Sequence, residues 1–235
     1  IERELRLWAI LEHVNILPLY GCTNGFGPYP ALVSPWAENG NLTSYLELKY
    51  GRLTMVDKFN ILRDVAAGLQ YHTYHFKLIQ CQLKANVLIH HDGTACIADF
   101  GLSMMYSEAL GVLSQASSSS HGTIRWMAPE LFEVPEDGLP VCPSKQGDIY
   151  SFGGIMLLVL TGKIPYYYFS YEPAIIGIIY SSVKPERARY ILVPDKHWEF
   201  IEECWSTDIQ HRPSIERVVQ MVRDELELIC AGAHA

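Results

Sequence analysis

Apolar residues recur at helical spacing from the first residue. Ile1, Leu5, Trp8 and Leu11 share one face, with Glu2, Arg3, Glu4 and Arg6 around them. Shorter apolar runs follow and predict strands at about 17–22 and 31–34, with Gly25-Phe26-Gly27-Pro28 as the turn between them. Asn41 reads as a helix N-cap. A second helical stripe, Phe59, Leu62, Val65, Ala66 and Leu69, predicts a helix from Thr54 to about His72, with Lys58 and Arg63 off the stripe. Two strands, at 87–90 and 94–98, flank Asp92-Gly93, a strong hairpin signal. From 102 to 121 the apolar period gives way to serines, including Ser117 to Ser120.

Beyond that loop the pattern becomes helical again. The stretch from Asp148 to Leu160 is apolar nearly all round, which places a helix inside a core, and Gly162 is suited to stop it. Further helices are expected at about 173–182, 198–204 and 214–228, and residues 134–143 read as an acidic, Pro-rich surface loop.

Composition narrows the function classes. The chain has 235 residues, 49% of them hydrophobic, enough for one domain or two closely packed lobes. A net charge of −8 argues against nucleic acid or an anionic membrane as main partner. The longest apolar run, 155–160, is too short to cross a bilayer, and no signal-peptide pattern opens the chain. Six cysteines are scattered without metal-ligand spacing, which predicts reduced thiols and a cytoplasmic setting. The first residue is Ile, so the chain is expected to start inside something longer or to have been trimmed.

The chemistry sits between Asp99-Phe100-Gly101 and Ala128-Pro129-Glu130. Either tripeptide alone is weak; both, in this order and spacing, are specific. On these residues the chain resembles a protein kinase. With Trp126 to Glu130 and Ser151-Phe152-Gly153, it looks most like the tyrosine-kinase-like group. The resemblance covers nearly the whole chain. It implies an α+β fold over 1–235: residues 1–36 as the remnant of the small lobe (one helix, two strands), and 37–235 as a complete, mostly helical large lobe. It also implies ATP and Mg²⁺ as cofactors and a protein as partner or substrate.

The same resemblance assigns residues. Asp99 and Asn86 would ligate Mg²⁺, and Lys84 would face the phosphates. Ser34, the gatekeeper position, would lie with Pro35, Trp36, Ala37 and Leu88 around the adenine. Phe100 and Gly101 would shape the turn after Asp99. Glu130 would pair with Arg212, since a buried carboxylate needs a cation. Asp148 would accept hydrogen bonds from the catalytic-loop backbone. Glu4, nine residues before His13, would occupy the place of the Glu that pairs with an ATP-positioning Lys. The family's Gly-rich loop and that Lys lie upstream of this helix, and the sequence contains neither, which tells against nucleotide binding by this chain. Bland readings stand beside several of these: a solvated helix carboxylate for Glu4, a turn amide for Asn86, a flexible polar loop for the serines.

The catalytic loop departs from the pattern. Gln80-Cys81-Gln82-Leu83-Lys84-Ala85-Asn86 stands where the family has His-Arg-Asp-Leu-x-x-x-Asn. Gln82 replaces the base, and an amide has no accessible basic form at neutral pH. Such a loss typically costs ~10²–10⁴ in rate. Cys81 replaces an Arg that receives a phosphorylated activation loop. One residue is missing before Asn86. Three functions follow as expectations: a pseudokinase-like signalling or interaction module; an active kinase whose ATP-binding strands are missing here; or a gene-model fragment whose open sheet edge invites aggregation. Thr123 with Lys84 leans toward Ser/Thr acceptors, while Trp126-Met127 is also common in tyrosine kinases, so the acceptor type stays open.

Overall fold

A computed structural model of the chain describes residues 8–27, 31–75, 86–98, 123–132 and 144–232. The order of elements is β1 (Gly21–Thr23), β2 (Ala31–Val33), α1 (Leu42–Lys49), α2 (Met55–His75), β3 (Val87–Ile89), β4 (Ala95–Ile97), α3 (Lys145–Thr161), α4 (Glu172–Tyr180), α5 (Asp195–Cys204) and α6 (Ile215–Gly232). Short 3-10 turns at Thr123–Trp126 and Pro129–Phe132 precede α3.

The strands form two antiparallel pairs. In the first, Gly21 faces Val33 and Thr23 faces Ala31. Gly25 and Gly27, with φ of 101° and 137°, make the bend that the sequence predicts. The first strand begins later than the expected residue 17. Ile16 and Leu17 are drawn onto the other hairpin instead: Leu17 N donates to Ile97 O at 2.9 Å, and Ile16 bridges Ile97. Both side chains are buried there, whereas β2 leaves Leu32 and Val33 exposed, so burial decides the pairing.

The second hairpin pairs Val87 with Ile97 and Ile89 with Ala95. Its turn is closed by the Asp92 carboxylate, which accepts from Thr94 N at 2.9 Å, and by Gly93 at φ 89°.

The helices start and stop where their caps dictate. The Asn41 side chain accepts from Ser44 N at 2.9 Å and opens α1. Thr54 and Asp57 cap α2 reciprocally, Asp57 N to Thr54 Oγ1 at 3.2 Å and Thr54 N to Asp57 Oδ2 at 2.8 Å. Ser144 caps α3 through Gly147 N, and Gly162 ends it at φ 70°.

Helix α3 is the centre of the large lobe. Every residue from Gly147 to Thr161 is buried. Two glycines of this helix allow close approaches. A Cβ at Gly153 would lie 2.9 Å from Cys204 Cβ and Trp205 Nε1, and one at Gly154 would lie 2.8 Å from Trp126 Cδ1. Helix α2 packs against α3, α6 and β4, and Trp8, Leu11, Ile16 and Leu17 join the same core. A smaller apolar cluster, Tyr166, Ile175 and Ile179, seats α4 against the two 3-10 turns. The expected helix at 173–182 is α4, that at 198–204 is α5, and that at 214–228 is α6. The 134–143 loop lies outside the described residues. Among those described, no helix is long and apolar enough to cross a membrane.

Candidate active site

The segment that joins the first hairpin to α1 is fastened along β3. Asn39 N donates to Ile89 O at 3.1 Å, Ile89 N to Gly40 O at 2.9 Å, and the Asn39 side-chain amide to His90 O at 2.6 Å. Glu38 adds a latch by accepting from His91 N at 3.0 Å. Its own backbone amide is the main cause holding the exposed Glu38 carboxyl below its ordinary value, with the His91 N–H bond and the two imidazoles adding to it. This registers Ser34 to Ala37 against the strand that carries Leu88. Ser34, Pro35 and Leu88 are half-buried and Ala37 is buried. Trp36 is 82% exposed, so its ring points to water and only its backbone faces the joint.

The hairpin sets Asn86, one of the expected metal-binding positions, at its open end. Ala98 N donates to Asn86 O at 2.8 Å, so the residue that enters β3 lies beside the one that leaves β4. Asp99 follows Ala98 directly in sequence. By type, an amide oxygen such as that of Asn86 and a carboxylate such as that of Asp99 are hard donors, the chemistry Mg²⁺ takes. The donor types and the pairing of Asn86 with Ala98 therefore fit the ion. Asp99 itself, with Gln82, Lys84, Glu4, Phe100 and Gly101, lies outside the described residues.

Three structural positions fall within them. Asp148 is buried in the first turn of α3, where the helix N-terminus favours a carboxylate. Glu130 and Arg212 form the expected pair: Arg212 Nη1 donates to Glu130 Oε1 at 2.6 Å and Nη2 to Oε2 at 2.8 Å. The same guanidinium also donates to Gln146 O at 3.0 Å and Ser206 O at 3.0 Å. It thereby ties the second 3-10 turn to the start of α3.

Two residues matter that the sequence reading passed over. Asn15 is buried, and its side-chain amide donates to Ala95 O at 3.0 Å, which locks the 13–17 segment to β4. Arg125 is buried and donates to three backbone carbonyls, Pro165 at 3.1 Å, Tyr166 at 2.7 Å and Phe169 at 2.9 Å. Burial lowers its pKa, opposed by the nearby Glu172 and Tyr190. The signal was a lone cation in the apolar run Ile124 to Pro129.

A core helix buried along its length, an ion pair fastening the segment before it, and two small two-stranded sheets are together consistent with a protein-kinase fold. The sequence agrees: the family profile "Protein tyrosine and serine/threonine kinase" matches residues 1–222, and the chain belongs to that family. It is 26% identical over 225 residues to Serine/threonine-protein kinase STY46 of Arabidopsis thaliana, covering 94% of this chain and 36% of that protein. It is 26% identical over 224 residues to Serine/threonine-protein kinase STY17 of the same plant, again covering 94% and 36%. The chain thus spans about a third of the length of these relatives.

Proposed function

We propose that this chain is a kinase-fold module for protein recognition in signalling, with its phosphoryl transfer impaired. The observation that carries the reading is Gln82 at the base position. An amide there can orient an acceptor hydroxyl but cannot take its proton. The shortened run before Asn86 adds to it, because the loop must be re-routed to present that amide. The partner is a protein, received on the segment that begins at Gly122-Thr123. The charge of −8 disfavours nucleic acid and anionic membranes. The scattered cysteines support a reducing, cytoplasmic setting.

A second reading is an active kinase that transfers phosphate from ATP to protein hydroxyls. The register that sets Asn86 beside Ala98 supports it, as do Asp99 and Lys84 in the sequence. In that case ATP would supply the phosphoryl group, Mg²⁺ would neutralise its charge, and Asn86 and Asp99 would hold the ion. Both relatives are named as Ser/Thr kinases, and Thr123 with Lys84 leans the same way.

Phosphoryl transfer to protein separates the readings, and thermal unfolding with and without Mg²⁺-ATP tests for the nucleotide site, since a ligand of the folded state raises the midpoint. The proposed module shows no phosphoryl transfer to protein whether or not the midpoint rises. A rise abolished by Asp99→Asn establishes the nucleotide site, and transfer gained only in Gln82→Asp identifies the base as the missing part. Transfer by the unaltered chain overturns the proposal.

A further inference from the structure

The segment from Thr123 to Phe132 is pinned from three directions. At its far end Glu130 meets Arg212. In its middle, Ser151 Oγ on α3 donates to Trp126 O at 2.7 Å. At its near end Arg125 reaches away from α3 into the loop between α3 and α4. That loop is unusual. Tyr166 has φ 56°, a left-handed conformation that a non-glycine residue keeps only where its surroundings hold it. Arg125 donates to the carbonyls that flank the Tyr166 Cα, those of Pro165 and of Tyr166 itself, and to Phe169 O. The Tyr166 hydroxyl donates onward to Val183 O at 2.9 Å, beyond α4.

A guanidinium spent on three neutral carbonyls does little for net stability, because a buried cation is costly to desolvate. What it provides is geometry. Its planar fork fixes the 123–126 turn against the 164–169 loop in one orientation.

We propose that Arg125 is the positioning residue that preorganises the partner-receiving turn Thr123–Trp126, and that it does so without phosphorylation of the serine-rich loop. This rests on the reading above that the segment receives a protein. Cys81, at the position that would offer an arginine to a phosphate, provides no cation, whereas Arg125 supplies a fixed internal one. The receiving surface is therefore set by folding rather than by modification.

Hydrogen exchange on the whole chain tests this. The reporters are the amides of Met127, Tyr167 and Phe169, bonded to Ile124 O, Ile164 O and Tyr166 O. The control is Val218 N in α6, bonded to Ser214 O. In phosphatase-treated protein the three reporters are expected to be protected. Arg125→Lys should speed their exchange by at least about tenfold, and Arg125→Met by more, with Val218 unchanged. Unchanged reporters in both variants would overturn the proposal. So would an equal rise at Val218, which would make Arg125 a general stabiliser. If neither variant folds, the unaltered chain still decides: reporters protected only after phosphorylation of the serines would sink it. None of these readouts involves nucleotide, so turnover by the unaltered chain would overturn the impaired-transfer reading and leave this result standing.

Discussion

Arg212 and Glu130 are 82 residues apart in sequence and meet through two parallel charge-assisted hydrogen bonds of 2.6 and 2.8 Å. The arginine side chain is 0% exposed and the glutamate side chain 12%. Removing one partner leaves the other buried without its counter-charge. Arg212→Ala or Glu130→Ala is expected to destabilise the chain by about 3–5 kcal/mol. Urea unfolding of the two single variants and the double variant checks this. The double should cost clearly less than the two singles added together.

Close approach at Gly68 gives a second expectation. A Cβ there would lie 2.6 Å from Asn15 O, which is backbone and already accepts from Ile97 N. Gly68→Ala should therefore cost about 1–3 kcal/mol by overpacking. Gly177 in α4 is the contrast, since nothing lies within 4 Å of its Cβ position. Gly177→Ala should stabilise by about 0.5–1 kcal/mol, because alanine is the better helix former. Thermal midpoints that move in the same direction for both variants would contradict the contrast.

His72 contributes to acid sensitivity. Burial, with the positive charge of Lys145 as a smaller cause, brings its pKa down from 6.5 to about 4. The folded chain thus resists binding a proton that the unfolded chain accepts. The stability is fully present above about pH 6.5 and is lost as pH falls toward about 4, by up to roughly 3 kcal/mol. His72→Gln cannot titrate, so its stability should fall less steeply across that window. Denaturant midpoints at intervals from pH 7.5 to 4.5 for both proteins measure the difference in slope.

Trp36 offers a negative expectation. With its ring 82% exposed, Trp36→Ala should change unfolding free energy by no more than about 0.5 kcal/mol. A larger loss would mean that the ring covers part of the core in solution.

The amino-acid pattern by itself determined most of the helical segments of the large lobe and several of their caps. Asn41, Thr54 and Gly162 act through neighbours within four residues, so their caps can be read without the fold. The all-apolar run around Phe152 marked its own burial, since no face of it could meet water. The family resemblance placed Glu130 opposite Arg212, and chemistry required a partner for a buried carboxylate.

Tertiary structure decided what local pattern cannot encode. Leu17 is expected to open β1, yet burying it together with Ile16 against Ile97 outweighs extending an exposed hairpin. Asn15 and Arg125 read as ordinary polar residues in sequence. Each became a fastening point only because distant chain segments brought backbone carbonyls to it: Ala95 for Asn15, and Pro165, Tyr166 and Phe169 for Arg125. Those acceptors lie from 40 to 80 residues away, so the partners of a buried polar group depend on how the whole chain closes.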